Sequence, residues 1–262
     1  MTDRPLLLVS NDDGIRAPGL AALAAGLEPL GEVWVVAPDG ERSAISHAIT
    51  LDKPLRVEEV RPRWLAVSGT PADSVYLGSL HLMPRLPDLV FSGINNGYNL
   101  GSDVFYSGTV AAAVEGTIRG VPSLAISIEY QAEPVFEHAA RFAAALARAV
   151  LARGLPPRHL LNVNLSAPAP RGFSWTRLGR RVYREQVAER VDLRGKRYFW
   201  IGGPAVAEPD APGTDCEAVR TGLVSVTPLD LDLTSTALGD VDEWRLAGFD
   251  AVGDAGQALR AP

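Results

Sequence analysis

As far as Leu165 the chain alternates short apolar runs with longer stretches of helical spacing, each bounded by Gly, Pro or polar turns. Leu6 to Ser10 reads as a strand buried on both faces, and after Pro18-Gly19 the stretch Leu20 to Leu30 reads as a helix that stops before Gly31. Glu32 to Ala37 is the next strand. The alternation continues with Trp64 to Val67 as strand, Pro71 to Leu82 as helix, Asp88 to Ser92 as strand, Thr109 to Arg119 as helix and Ser123 to Ser127 as strand. Pro134 to Leu151 is an Ala-rich helix and His159 to Leu165 a further strand. Connections of this length allow crossovers, so the pattern predicts an α/β fold: a mostly parallel sheet with helices on both faces.

From about Pro168 the pattern changes. Arg180-Arg181-Val182-Tyr183 and Tyr198-Phe199-Trp200 are separated by Gly and Pro, which predicts β-hairpins projecting from the core. Exposed aromatic hairpins pack against something, so this region is expected to be a self-association element, with burial on the same subunit as the alternative.

A chain of 262 residues, 47% hydrophobic and 21% charged, can bury a full-sized core in one main domain. Its apolar runs fall well short of the ~18 residues of a membrane helix. Met1-Thr2-Asp3-Arg4-Pro5 enters a short apolar run that ends at Asn11-Asp12-Asp13, with no signal-peptide core and cleavage site, so a cytoplasmic protein is expected. The single Cys216 excludes an intramolecular disulfide and is expected to be an inert structural thiol. His47, His81, His138 and His159 are too scattered for a local metal motif, so any metal must lean on oxygen ligands. The formal net charge of −6 argues against a nucleic-acid polymer as partner, and anionic substrates would need a local positive potential such as a bound cation.

In open parallel sheets ligands bind beyond the carboxyl ends of the strands, where Ser10-Asn11-Asp12-Asp13-Gly14 follows the first predicted strand. Two adjacent carboxylates in a partly desolvated cleft repel each other unless a cation neutralises them, and oxygen surroundings favour Mg²⁺ or Mn²⁺. An Asx-capped turn is the plainer alternative. The loop Val36-Ala37-Pro38-Asp39-Gly40-Glu41-Arg42-Ser43 reaches the same edge, as does Gly93-Ile94-Asn95-Asn96-Gly97-Tyr98-Asn99-Leu100-Gly101-Ser102-Asp103. Tyr106-Ser107-Gly108-Thr109 then opens a helix whose free N–H groups and hydroxyls suit a phosphate, or form an ordinary N-cap. Asn95-Asn96-Gly97 can also be only a tight turn.

Neither a G-x-x-x-x-G-K-[ST] loop nor a G-x-G-x-x-G after the first strand is present, which excludes the common NTPase and dehydrogenase sites. Ser43 with His47 as base lacks the G-x-S-x-G elbow of a hydrolase nucleophile. Asp230-Leu231-Asp232-Leu233-Thr234 has the form of an aspartate-nucleophile phosphatase motif, yet period-2 strand alternation explains it better. Asn164-Leu165-Ser166 has the form of a glycosylation acceptor, without a secretory signal to make it one.

Several of these segments together closely resemble the SurE family, the survival-protein nucleotidases of bacteria and archaea. The matching motifs are Ser10-Asn11-Asp12-Asp13-Gly14 with Ala17-Pro18-Gly19, Val36-Ala37-Pro38 with Arg42-Ser43, Ile49-Thr50-Leu51, and Gly69-Thr70-Pro71-Ala72-Asp73. They continue as Ser92-Gly93-Ile94-Asn95 with Asn99-Leu100-Gly101, and as Tyr106 through Ala113. Weaker matches, Gly213-Thr214-Asp215 and Val226-Thr227-Pro228-Leu229, extend the resemblance over nearly the whole chain. It implies a Rossmann-like catalytic core over residues 1–167 and a C-terminal hairpin region over 168–262 that completes the same domain and forms a homodimer or homotetramer. It also implies hydrolysis of nucleoside 5′- and 3′-monophosphates, and of short polyphosphate by some members, with one Mg²⁺ or Mn²⁺ per subunit. By position, Asp12, Asp13, Ser43 and Asn95 match the family's metal ligands, the two aspartates being catalytic, and Asn99, Ser107, Gly108 and Thr109 match its phosphate contacts. Ala44 stands where many members have Gly, and Asn96 and Tyr98 lie in a variable part of the loop. A nucleotide- or metal-binding sensor without turnover is the alternative from another class.

Overall fold

The computed structural model describes residues 4–166, 170–183, 186–203, 205–207 and 211–235. Strand β1 (Leu6–Ser10) is buried along its full length, and its side chains alternate between two cores as a pleated strand requires. Leu7 and Val9 join one hydrophobic cluster with Leu20, Leu23 and Leu27, whereas Leu6 and Leu8 join a second with Val75 and Ala112. The continuous apolar run in the sequence is therefore two half-faces.

Helix α1 (Pro18–Leu27) starts with Pro in its first turn and ends short of the Leu30 expected: Glu28 is still helical at φ −51° and ψ −35° and bonds to the Ala24 carbonyl, but Pro29 has no N–H to continue the ladder. Strand β2 (Glu32–Pro38) follows, then β3 (Val57–Arg61) and β4 (Trp64–Val67). Helix α2 (Pro71–Leu77) runs on into a π-helical turn over Gly78–Leu82. Its start is a capping box: Thr70 Oγ1 accepts from the Asp73 N–H and Asp73 Oδ2 accepts from the Thr70 N–H. Thr50 donates to the same Asp73 carboxylate from both its N–H and its hydroxyl, so the box also anchors the loop before β3.

Strand β5 (Leu89–Asn96), a 3₁₀ turn over Gly101–Phe105, α3 (Gly108–Ile118), β6 (Ser123–Ile128), α4 (Glu137–Arg153) and β7 (His159–Leu165) complete the alternation. Next come β8 (Phe173–Trp175), β9 (Arg181–Tyr183), β10 (Gln186–Val191), β11 (Arg197–Gly202), β12 (Ala205–Ala207), helix α5 (Asp215–Arg220) and β13 (Val224–Asp230). The main sheet has nine strands in the order β3-β4-β2-β1-β5-β6-β7-β13-β8. From β4 to β7 every pairing is parallel, and β3 pairs antiparallel with β4 at the edge. Helices α1 and α4 cover one face, α2 and α3 the other. The α/β expectation, a mostly parallel sheet with helices on both faces, describes this architecture.

The run β4-β2-β1-β5-β6-β7 is the Rossmann order, with its switch point between β1 and β5. At the end of β5 the pairing with β6 shifts register between Ser92 and Asn95. Gly93 lies there at φ +132°, and a Cβ on it would stand 2.3 Å from the Ile126 carbonyl oxygen.

Past β7 the chain first makes β8, which joins the main sheet, and then two separate two-stranded antiparallel sheets, β9 with β12 and β10 with β11. The residues of β10 and β11 are exposed on both faces, so the described hairpin is not buried on its own subunit. Two further readings change. The strand expected over Asp230–Thr234 ends at Asp230, where the N–H groups of Asp232 and Thr234 bond to the carboxylates two residues back, giving Asx turns. Helix α5 was not expected at all. The described residues up to Leu229 form one compact unit, and beyond it Asp230–Ser235 are described. No helix among the described residues is long and apolar enough to cross a membrane.

Candidate active site

Beyond the end of β1 the chain turns sharply. Buried Asn11 closes that turn on both sides, donating to the Gly14 carbonyl (3.1 Å) and accepting from the Gly14 N–H (3.2 Å). Gly14 has φ +97° and abuts Gly40, so no side chain fits. Asp12 is thereby aimed toward the start of α3, where its Oδ1 accepts from the Thr109 hydroxyl at 2.5 Å. Burial pushes the Asp12 carboxyl up, against the lowering effect of that hydrogen bond. Asp13 is pushed up from 3.8 to about 6, by burial first and then by the negative charges of Asp12 and Glu41.

A cavity of about 670 Å³ opens at this switch point, and Asp12, Asp13, Ser43, Asn95, Asn99 and Ser107 all line it. Six of the eight expected site residues, from the end of β5 and the three connections that follow β1, β2 and β5, thus share one space. The Ser43 hydroxyl donates to Glu41 Oε1 at 2.8 Å, leaving its lone pairs available. Asn95 uses its amide nitrogen on the Gly97 carbonyl (2.8 Å), which leaves its side-chain oxygen, the atom a cation needs. Two carboxylates and two neutral oxygens are a donor set for a hard divalent ion. Among the described residues no group of three or more His, Cys, Asp or Glu forms another metal cluster. The donor set fits Mg²⁺ or Mn²⁺, and the cation would relieve the desolvation and repulsion that raise both aspartates.

Gly108 and Thr109 do not line the cavity. Gly108 lies directly behind Asp12, and Thr109, fully buried, spends its hydroxyl on that carboxylate. Ser107 caps α3, its oxygen accepting from the Val110 N–H at 3.0 Å, and its own proton remains to be donated. Asn99 is held by residues that sequence reasoning overlooked. Its N–H donates to Asn164 Oδ1, its carbonyl accepts from Asn162 and Asn164, and its side-chain nitrogen meets Ser127 Oγ at 2.8 Å. Rotating the Asn99 amide, with Ser127 donating, would present the nitrogen to the cavity instead. The only sequence signal was two asparagines in a strand that is otherwise apolar after His159.

His47 does not meet Ser43: its Nε2 lies 2.9 Å from Glu115 Oε2 on α3, so the described geometry offers no Ser43–His47 nucleophile pair. On the far rim Asp103 accepts from the Tyr183 hydroxyl (2.6 Å) and pairs with Arg181 (2.8 Å). Buried Asp215 accepts from the N–H groups of Gly101 and Gly179, tying the Asn99 loop to the segment before β9. Aromatic rings of Tyr98, Tyr106, Tyr130 and Phe136 complete the walls.

The family model described as Survival protein SurE matches residues 7–185. A 5′-nucleotidase SurE of Anaeromyxobacter sp. (strain Fw109-5) is 53% identical over 248 residues, covering 93% of this chain and 97% of that protein. One of Myxococcus xanthus (strain DK1622) is 52% identical over 254 residues, 95% and 97% of the two chains. The crystal structure of the SurE protein from Aquifex aeolicus superposes with a TM-score of 0.78 at 43% identity, over 88% of this chain and 95% of that one. On sequence, on fold and on the motifs gathered round β1 and β5, this chain belongs to the SurE family.

Proposed function

We propose that the chain is a divalent-cation-dependent 5′-nucleotidase, hydrolysing nucleoside 5′-monophosphates, and 3′-monophosphates as well, to nucleoside and phosphate. Short polyphosphate is a further substrate in this reading, and the cytoplasm its location. The names of the relatives support the reaction class. The observation that carries it is the convergence of two desolvated carboxylates, Asp12 and Asp13, with the oxygens of Ser43 and Asn95 in one aromatic-walled cavity. Such a site repels a phosphate until a cation is present, and then attracts one.

One Mg²⁺ or Mn²⁺ per subunit, held by Asp12, Asp13, Ser43 and Asn95, would supply Lewis-acid polarisation of the phosphoryl group and acidify water. Around it Thr109 fixes Asp12 so that the carboxylate is in place before substrate arrives. Ser107, which caps the positive end of α3 and lines the cavity, donates its remaining hydroxyl proton to the equatorial oxygens as their charge develops, and Gly108 behind it leaves room for the Asp12 carboxylate. Asn99, locked by Asn162 and Asn164, adds a side-chain contact from the opposite loop. Water attacks phosphorus in line, the P–O ester bond breaks, and the nucleoside hydroxyl leaves with a proton. The competing route, direct attack by one aspartate with water then displacing it from phosphorus, is separated by the stereochemical course at a chiral, isotope-labelled thiophosphate ester: retention marks the two displacements of the aspartyl route, inversion the single displacement by water.

The test of substrate class is phosphate and nucleoside release from a panel of 5′- and 3′-nucleoside monophosphates against simple sugar phosphates, with metal or EDTA. Release of both products from nucleotides with metal is expected. Binding of nucleotides with no release from any would replace this reading by a sensor.

Self-association belongs to the same proposal. An isolated two-stranded ribbon is marginal in water, and β10–β11 expose Val187, Trp200 and Ile201, the last 90% accessible, so a second copy is the natural cover.

A further inference from the structure

We propose that His47 is a positioning residue for the cation site, holding Ser43 in place through its hydrogen bond to the buried Glu115 of α3. The inference rests on the reading above that Ser43 belongs to the donor set. Ser43 sits in an exposed stretch between β2 and β3 that has no regular structure of its own. Within it Ala44 and Ser46 adopt left-handed backbone at φ 53° and 55°. Non-glycine residues stay in that region only where their surroundings hold them.

The Thr70 hydroxyl holds the Ala48 carbonyl at 2.7 Å, and the anchors nearer Ser43 are few. On the upstream side the Arg42 N–H donates to the Asp12 carbonyl at 2.7 Å. On the downstream side the Ser46 N–H donates to the Tyr106 carbonyl (3.1 Å), the Ser46 hydroxyl donates to the Phe105 carbonyl (2.6 Å), and His47 reaches Glu115. Ser43 is thus slung between Asp12 and α3, and His47 is the side chain that fixes the far end to the helix itself.

Glu115 is 2% exposed, and a carboxylate buried that deeply needs a charge partner. Arg119 supplies it: Nε lies 2.8 Å from Glu115 Oε1, at ion-pair distance though not aligned for a hydrogen bond, and the guanidinium stacks 4.7 Å from the Tyr76 ring. His47 is therefore not required to neutralise Glu115. What it adds is a fixed point for the loop. Helix α3 then holds two donors at once, Asp12 through Thr109 and Ser43 through Glu115, with about 9 Å of rigid helix between the two attachment points.

The test compares wild type, His47→Ala, His47→Gln and Ser43→Ala in the full chain by Mn²⁺ titration followed by electron paramagnetic resonance, with no substrate present. Thermal unfolding and the nucleotide KM at saturating metal are measured alongside. His47→Ala is expected to weaken Mn²⁺ binding about tenfold, the scale of losses beside a metal's ligands, with Tm nearly unchanged because Arg119 still pairs Glu115, and with KM unchanged. His47→Gln, whose amide can donate to Glu115, is expected to recover most of the affinity. Wild-type Mn²⁺ affinity in His47→Ala alongside weakened binding in Ser43→Ala would overturn the brace while leaving the donor set standing. Equal weakening in His47→Ala and His47→Gln would overturn the hydrogen bond as its cause. Wild-type affinity in Ser43→Ala would remove the donor-set reading, and the brace with it.

Discussion

A side chain at position 108 would stand where the Asp12 carboxylate is: a Cβ there lies 2.8 Å from Asp12 Cβ and 2.9 Å from Oδ2. Gly108→Ala is therefore expected to push the carboxylate off its hydrogen bond to Thr109, lowering Mn²⁺ affinity and kcat/KM by about tenfold to a hundredfold while the protein stays folded. Unchanged kinetics would mean that Asp12 tolerates displacement. Asp13 gives a pH dependence. With its carboxyl raised from 3.8 to about 6, the folded metal-free protein holds a proton between those values that the unfolded chain has released, so stability falls as pH rises through that window. A cation competes with that proton, so Mg²⁺ should raise Tm more at pH 8 than at pH 5. An equal rise at both would argue against Asp13 as a ligand. At this scale the sequence showed the Asp12-Asp13 adjacency and the motif residues Ser43 and Asn95. It did not show their supports, because Thr109 to Asp12 spans 97 residues, His47 to Glu115 spans 68 and Asn99 to Asn164 spans 65, and no local pattern encodes such pairings.

Among the elements, the approach of α1 to the end of β5 is the tightest. A Cβ on Gly19 would lie 2.1 Å from the Ile94 carbonyl oxygen, a backbone atom with nowhere to go. Gly19→Ala is expected to lose at least about 1–3 kcal/mol in denaturant unfolding, the range for overpacking, and to lower activity because Asn95 follows Ile94. Stability like wild type would show that α1 shifts freely. The elements with two buried faces or a strong helical stripe, β1, β5, β6, β7 and α4, were legible because burial writes their pattern. The edge strand β3, Val-Glu-Glu-Val-Arg, was not: all five residues are exposed and its partner is a single antiparallel neighbour. Helix α5 has only six residues, too few for a periodicity to stand out.

At the scale of the molecule, the sheet order decides where chemistry can occur, since only the β1–β5 switch point brings Asp12, Ser43, Asn95 and Ser107 to one cavity. The strand–helix alternation foretold that edge, whereas the return of β8 and β13 to the far side of the sheet left no mark in a segment rich in Arg, Gly and aromatic residues. The exposed β10–β11 ribbon carries an expectation of its own: replacing Trp200 and Ile201 by Ser and Thr should shift light-scattering mass toward the monomer, and an unchanged mass would place the contact elsewhere. The central claim is that a cation held at Asp12 and Asp13 drives phosphomonoester hydrolysis, and it is tested by phosphate release from nucleoside 5′-monophosphates in wild type and Asp12→Asn, each with EDTA, Mg²⁺ or Mn²⁺. Activity that metal restores to the wild type and that Asp12→Asn loses by a factor of about 10² or more is the expected result. Equal turnover in EDTA, or in Asp12→Asn, would place the chemistry outside this pair of carboxylates.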